Sequence, residues 1–176
     1  MSLRKYLFYI LILLNILIFL SIFTLCLVPP VSIDALDHHL AVPKLYLEHG
    51  LFTNLFHIKF SFYPQLLQLI YTFCLYLGND ILPKLVHFGF ALGTAALIFY
   101  YLKSRLSRLY ALLGCLFFLS LPVIIRLSFT VYVDLGLIFF SFASLLFLVI
   151  WKDKEFKLNL QRDDFGLFSG AAGVLL

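Results

Sequence analysis

The chain has few charged residues and few cysteines for its size. Asp, Glu, Lys and Arg make up 12% of the 176 residues, whereas 63% are hydrophobic and 21 are Phe. A soluble domain of this length could not bury so much apolar surface in one core, so lipid must solvate most of it. The three cysteines, Cys26, Cys74 and Cys115, all lie in apolar runs, which favours small hydrophobic side chains over a disulfide framework or a metal cluster.

The modest positive charge points to a membrane protein rather than to nucleic-acid binding. The net charge is +4, and most Lys and Arg residues fall in short hydrophilic segments between apolar runs. This distribution is how membrane proteins set their orientation. We therefore predict an all-α fold: a polytopic transmembrane helical bundle that forms a single membrane-embedded unit over residues 1–176, with an outer-side loop of juxtamembrane amphipathic helices.

Long apolar runs predict the membrane-spanning helices at 6–28, 85–102, 109–125 and 135–151, with a partial fifth at 165–176. Arg4 and Lys5 precede the first run, as in a signal peptide. Its apolar core is longer than that of a signal peptide, so a spanning helix is favoured over a cleaved signal. Pro122 interrupts the third run, and Trp151 ends the fourth where an interfacial anchor would lie.

The basic segments 103–108 and 152–157 predict cytoplasmic loops. The N-terminus is then cytoplasmic, residues 29–84 lie outside, and the chain is a multi-pass protein of the plasma (inner) membrane. Segment 64–78 is apolar but has only about fifteen residues, against roughly twenty for a crossing, and it contains Gln65 and Gln68. We interpret it as an interfacial or re-entrant helix; the alternative is a true crossing that would reverse every later helix.

A cluster of acidic residues and histidines, the side chains suited to acid–base chemistry or metal binding, lies just after the first span, in "IDALDHHLAVPKLYLEHG". Pro43 is expected to divide this stretch into two short helices, as a first-turn residue of the second. Asp34 and His38 would share a helix face, with Asp37 alongside. Two adjacent His raise the alternative of a metal site, but no third ligand stands at a recognised spacing. A carboxylate acting as a general base at the lipid–water boundary is the simpler reading.

A cationic partner for a phosphate group is available further along the chain. Arg126 precedes the fourth span and Asp134 begins it, both on the predicted outer side. Ionisable residues at membrane depth are costly and usually functional. The alternative is a structural ion pair between these two residues, or snorkelling of their side chains to the boundary.

The order of these features resembles the GT-C superfamily of membrane glycosyltransferases. The resemblance is strongest to protein mannosyltransferases, lipid A aminoarabinose transferases, and bacterial glycosyltransferase family 39 or RgtA/B/C/D-like members. It covers essentially the whole chain, and each motif is loose alone. The segments that carry it are an acidic first loop, an apolar surface helix, a helix with a basic end, and a proline-containing segment with Asp at the next helix: "IDALDHHLAVPKLYLEHGLF", "YPQLLQLIYTFCLYLGND", "YYLKSRLSRLYALLG" and "LSLPVIIRLSFTVYVDLGLIFF".

The resemblance implies an inverting transfer of a sugar from a polyprenyl-phosphate donor to a glycan, lipid or protein acceptor on the outer face. Asp34 matches the first-loop acidic residue that acts as catalytic base in such enzymes, although Ala35 stands where many relatives have Glu. The implied substrate-binding residues are Asp37, His38, Arg126 and Asp134. The resemblance leaves a divalent metal open, without a clear ligand set, and membrane lipids are the remaining expected partners.

The last apolar run covers about a dozen residues, little more than half of a ~30 Å crossing. We therefore expect this chain to be the N-terminal part of a longer GT-C module, inactive alone. Two alternatives from other classes are a non-catalytic membrane scaffold or assembly subunit, and a transporter fragment in which Arg126 and Asp134 line a pathway.

Overall fold

The computed structural model describes residues 3–51 and 65–172, with side chains described up to Asp153. Within these ranges the chain is almost entirely helical and contains no strand, which confirms the predicted all-α class for this part. The chain divides into two compact units, Met1–Phe140 and Ser141–Leu176. The helices are α1 (Leu3–Cys26), a π-helix (Ala35–Leu40), α2 (Ala41–His49), α3 (Leu66–Tyr76), α4 (Ile81–Arg105), α5 (Arg108–Ser120), α6 (Pro122–Ser128) and α7 (Asp134–Ala172).

Three helices are long and apolar enough to cross a membrane, and they indicate a membrane protein: α1, α4 and the Asp134–Asp153 part of α7. They overlap the spans predicted at 6–28, 85–102 and 135–151. The span predicted at 109–125 is instead a broken helix, in which α5 and α6 meet at 69°. Leu121 is extended because the Pro122 ring disfavours a helical residue before it, and α6 starts afresh at the proline.

The end of α7 differs from the sequence prediction. A separate partial segment was expected at 165–176, but residues 165–172 continue α7 without a break. The hydrophilic segment 152–157, "KDKEFK", separates the two apolar runs and contains three Lys and one Glu. Both residue types are good helix formers, so this segment can prolong the helix instead of ending it. Residues 173–176 lie outside the described residues. The single membrane-embedded unit stays a prediction.

The core of the first unit joins α1, α4, α5 and α6 with the start of α7. Small side chains let these helices approach closely, as is usual where van der Waals packing drives helix association in lipid. All three cysteines are free and buried, in line with the prediction. The Cys115 thiol donates to the Ala95 carbonyl at 3.2 Å, so α5 lies directly on α4. The fully or largely buried members of this core are Ile22, Cys26, Phe88, Ala91, Ala95, Cys115, Leu119, Ile124 and Leu135.

Helix α1 ends at Cys26, and two residues separate this end from Pro29 and Pro30, which have no N–H to continue a helix. The Lys84 ammonium, near the start of α4, donates to the Val28 carbonyl just beyond α1. A cation at a helix C-terminus stabilises the negative end of its dipole. The Cys26 thiol also reaches the Ser128 carbonyl of α6, at 3.3 Å. The end of α1, the start of α4 and the end of α6 therefore meet at one end of the bundle, which we call the polar end.

Helix α3 packs on the π-helix at the polar end. Its buried Leu67 and Tyr71 form a second apolar cluster with Ala35, Leu40 and Val131. The helix ends at Tyr76, and Gly78 follows two residues later with a φ of 122°, which favours glycine. With 11 residues it is about 17 Å long, well short of a ~30 Å crossing. Residue 64, where this segment was expected to begin, lies outside the described residues, and the interfacial orientation stays a prediction.

Candidate functional site

A cavity of about 570 Å³ opens at the polar end of the first unit. Its lining is mostly apolar but includes several polar side chains, so the cavity suits a ligand with a polar head and a hydrophobic chain. We call it the acidic cavity, since Asp34 is the carboxylate that lines it. Its lining residues are Asp34, His38, His39, Val42, Gln65, Leu66, Leu67, Gln68, Tyr132, Val133, Gly136, Leu137 and Phe140.

The π-helix brings two adjacent histidines to this cavity. The Pro43 ring lies in the first turn of α2, as predicted, and it excludes the normal α-helical position of the His39 carbonyl four residues earlier. The preceding turn is widened to i→i+5 hydrogen bonding, so consecutive residues diverge less around the axis than in an α-helix. His38 and His39 both line the cavity from this widened turn.

Asp34 is held by a tyrosine from a distant part of the chain. The Tyr132 hydroxyl lies 3.3 Å from the Asp34 carboxylate, to which it donates, and 2.8 Å from the Ser32 hydroxyl. Asp34 is exposed, and no Lys, Arg or His of the described residues forms an ion pair with it. The carboxylate therefore keeps acceptor positions open toward the cavity while the phenol fixes its orientation.

His39 lies between Tyr132 and Gln68. Its ring meets the Tyr132 ring edge-on, with centroids 5.5 Å apart, and its Nδ1 lies 3.4 Å from the Gln68 amide nitrogen. Burial lowers the pKa of His39 below its usual range, and the nearby His38 adds to this, while Asp134 and Asp34 oppose it. A neutral His39 ring can accept from the Gln68 amide through Nδ1 and donate through Nε2 into the site.

The connection between α6 and α7, which carries Tyr132, is fixed by buried hydrogen bonds. His87 of α4 places Nδ1 3.0 Å from both the Leu127 and the Thr130 carbonyl oxygens, and its Nε2 accepts from the Leu135 N–H at 3.2 Å. These contacts define a neutral imidazole with its proton on Nδ1. The Tyr71 hydroxyl donates to the Tyr132 carbonyl at 2.5 Å. Helices α3 and α4 thus set the position of Tyr132.

A second cavity of about 420 Å³ lies at the same end and shares Tyr132 with the first. We call it the basic cavity, because Lys84 and Arg126 line it. Lys84 is almost completely buried, whereas Arg126 is exposed. The remaining lining residues are Leu25, Val28, Pro29, Pro30, Val31, Ser32, Ala35, Phe129 and Thr130.

The structure brings only some of the predicted site residues together. Asp34 and His38 line the acidic cavity, and Arg126 lines the basic cavity. Asp37 is exposed on the π-helix and lines neither cavity. Asp134 begins α7 and is exposed beside the acidic cavity, close enough to affect His39 electrostatically but not among the lining residues.

Sequence reasoning missed four residues of these two sites: His39, Gln68, Tyr132 and Lys84. Lys84 stood at the boundary of the predicted outer loop, and Gln68 was used only as an argument against a crossing. The signal available in the sequence was a Lys or Gln within or beside an apolar run, since such a residue needs polar partners once it is buried. Tyr132 gave no comparable signal among ten tyrosines.

No group of three His, Cys, Asp or Glu side chains is placed to hold a metal ion within the described part of the chain. The pair His38 and His39 with Asp34 does not form such a set. The divalent metal that the resemblance left open thus gains no ligand set from these residues.

No protein-family model matches the chain, and no curated protein or solved structure does either. The likeness to GT-C glycosyltransferases therefore stays a prediction, carried by the order of the sequence motifs and by the residues of the acidic cavity.

Proposed function

We propose that the chain is a GT-C glycosyltransferase, or the N-terminal part of one. It transfers a sugar from a polyprenyl-phosphate donor to an acceptor on the outer face of the membrane, with Asp34 as general base. One observation carries the proposal: the acidic residue that matches the family's catalytic base lines the large amphiphilic cavity of the described residues.

The acidic cavity has the chemistry of a lipid-linked sugar site. Its apolar lining residues, such as Leu66, Leu137 and Phe140, offer a surface for the first isoprene units of a polyprenyl chain. The polar lining residues His38, His39 and Gln68 can form hydrogen bonds with hydroxyl and phosphate groups. A volume of about 570 Å³ lies in the ordinary range for pockets that hold small molecules.

The Asp34 carboxylate fits the role of a base. It removes the proton from an acceptor hydroxyl while that oxygen attacks the anomeric carbon of the donor sugar. The bond from that carbon to the phosphate oxygen breaks, and polyprenyl phosphate leaves with the bonding electrons. Attack opposite the leaving group inverts the anomeric centre. The Tyr132 hydroxyl, 3.3 Å from Asp34, keeps the carboxylate aimed at the cavity.

The hydrogen-bond donors assigned to the leaving phosphate differ from the sequence expectation. Arg126 was expected beside the phosphate, but it lines the basic cavity on the other side of Tyr132. We assign the contact to His38 and His39, which line the same cavity as Asp34. Asp37 lines neither cavity, and we give it no part in the transfer.

The distribution of basic residues supports an outward-facing polar end. Lys103 and Arg105 lie in the last turn of α4, Arg108 begins α5, and all three are exposed. Arg4 and Lys5 begin α1. By the positive-inside rule these segments are cytoplasmic, so the end of α1 and the start of α4, which form the polar end, face outward. The distribution thus supports the proposed cytoplasmic N-terminus, and the plasma (inner) membrane remains part of the proposal.

The proposal is tested by replacing Asp34 with Asn, which keeps the size and removes the base. A complete enzyme that contains this segment, in lipid nanodiscs, is supplied with radiolabelled polyprenyl-phosphate hexoses and a membrane extract as the acceptor source. We expect Asp34→Asn to lower transfer by ~10²-fold or more. Asp37→Asn is the matched control, since it makes the same change three positions further along the chain, at a residue that lines neither cavity. It should lower transfer by no more than about twofold.

Two outcomes contradict the proposal. In the first, the wild-type enzyme transfers sugar from no member of the donor panel. In the second, Asp34→Asn is correctly inserted and transfers sugar at a near wild-type rate.

The transporter alternative rests on the break between α5 and α6, since discontinuous helices are common in transporters. It predicts uptake of a solute into sealed vesicles that does not depend on a lipid-linked donor. Donor-dependent transfer without such uptake favours the enzyme.

A further inference from the structure

We propose that the basic cavity binds the phosphate group of an anionic membrane phospholipid. The proposal concerns a cavity that the transfer reaction does not use, and it does not rest on the proposed function. It starts from a juxtaposition: Lys84 and Arg126, from different helices, line one cavity of about 420 Å³ that no carboxylate of the described residues lines.

Lys84 is a buried cation whose donors are incompletely used. Its side chain is 1% exposed, and its ammonium group has three N–H donors. One donates to the Val28 carbonyl, and the other two have no partner among the described residues. Asp80, one helical turn earlier, pairs with Lys44 at 3.5 Å instead. A buried charge without a counter-ion is costly, so an anion in the cavity would complete the site.

Arg126 supplies the second charge. Its guanidinium forms no ion pair within the part of the chain that the structure describes. A guanidinium can bind two phosphate oxygens at once, whereas the Lys84 ammonium contributes a point charge. The Tyr132 and Ser32 hydroxyls, which also line the cavity, are further hydrogen-bond groups for an oxyanion.

The apolar part of the lining identifies the source of the phosphate as a lipid. Leu25, Val28 and Phe129 lie beside the two cations, together with Pro29, Pro30 and Val31. A free phosphate ion would leave these groups in contact with water. A phospholipid covers them with its glycerol backbone and the first methylenes of its acyl chains. Val31 is exposed at the surface of the chain, so the acyl chains have an exit toward lipid.

The test measures lipid binding to the purified chain by native mass spectrometry, in a titration with dioleoyl phosphatidylglycerol. We expect Arg126→Gln to weaken binding about tenfold or more, because it removes a charge-assisted contact to phosphate. Arg108→Gln is the matched control: Arg108 is also an exposed arginine, at the first position of α5, and its loss should change binding by no more than about twofold. Lys84→Met should weaken binding as well. It also removes the hydrogen bond to Val28, so the variant at the exposed Arg126 decides the test if Lys84→Met does not fold.

Two further arms separate the ligand sources. Inorganic phosphate at the concentration of the lipid should not displace it; displacement would identify a soluble phosphate as the ligand and overturn the lipid assignment. Equal binding by the wild-type chain and Arg126→Gln would overturn the site itself. Asp34→Asn leaves Lys84 and Arg126 in place, so it should still bind phosphatidylglycerol, and a failed transfer assay and a failed lipid titration are distinguishable.

Discussion

The acidic and basic cavities share Tyr132 and the same end of the bundle, but their walls carry opposite charge. Asp34 lines the first, which no Lys or Arg of the described residues lines, and Lys84 and Arg126 line the second without a described carboxylate. Here the Tyr132 hydroxyl bonds to Asp34, and the Val28 carbonyl bonds to Lys84. The bundle keeps its opposite charges apart, which leaves each of them available to a ligand.

The largest effect is expected where both cavities depend on one residue. His87→Leu leaves the Leu127 and Thr130 carbonyls and the Leu135 N–H without their buried partner. One unpaired buried group costs about 1–3 kcal/mol, so the variant should lose about 3 kcal/mol or more of unfolding free energy. Thermal unfolding in detergent measures this loss.

Both cavities should be damaged in this variant, since the connection that carries Tyr132 loses its attachment to α4. His49→Leu is the control, because the His49 side chain is 58% exposed. Equal unfolding temperatures for the two variants would show that the His87 hydrogen bonds are not what fixes this connection.

A smaller effect should separate the two cavities. Gly136 lines only the acidic cavity, and a Cβ added there would lie 2.6 Å from Cδ1 of Leu67. Gly136→Leu should therefore displace α3, reduce the acidic cavity and cost about 2 kcal/mol, as overpacking generally does. Binding of phosphatidylglycerol in the basic cavity should stay within about twofold of the wild type.

Gly89→Leu is the matched control for this substitution, since nothing lies within 4 Å of a Cβ at Gly89. Donor binding measured alongside unfolding should fall for Gly136→Leu and persist for Gly89→Leu. A Gly136→Leu variant with unchanged donor binding would contradict the placement of the donor in the acidic cavity.

The smallest expected effect is the contribution of His39 to the pH dependence of stability. The pKa of His39 is lower in the folded chain than its ordinary value of 6.5, mainly because the ring is buried. The unfolded chain then binds more protons, so the stability tied to neutral His39 is present above about pH 6.5 and is lost as the pH falls below it. His39→Gln should flatten the change in unfolding temperature between about pH 7 and pH 5.

His38, Asp34 and Asp134 all act on this ring, and they remain in the variant. His49→Gln, at an exposed position, should keep the wild-type pH profile. A His39→Gln profile that matches the wild type would show that another group causes the acid sensitivity.

Hydropathy predicted the spanning helices because a run of twenty apolar residues has few alternatives to a helix in lipid. Pro43 and Pro122 marked real changes in the chain path, since proline acts through its own ring and its missing N–H. The 69° angle between α5 and α6 was not predictable, because it depends on which helices pack against α6.

Of the candidate site, the sequence identified Asp34 and His38 but not their partners. The contact between Asp34 and Tyr132 joins residues 98 positions apart, and no periodicity encodes such a pair. His39 was considered only as part of a possible metal site, and its place in the cavity depends on contacts with Gln68 and Tyr132 that lie far away in the sequence. The sequence analysis placed Lys84 at the end of the outer loop. In the structure it is buried near the start of α4, so its charge needs polar partners.

The position of Tyr132 as a shared wall couples the two cavities energetically. A phosphate that takes the Tyr132 hydroxyl in the basic cavity must compete with its bonds to Ser32 and Asp34. Occupancy of one cavity then changes the affinity of the other, and linkage requires the factor to be the same in both directions. Under the two proposals, the surrounding membrane would act as an effector of sugar transfer, and its phospholipid composition would set the activity without any phospholipid entering the reaction.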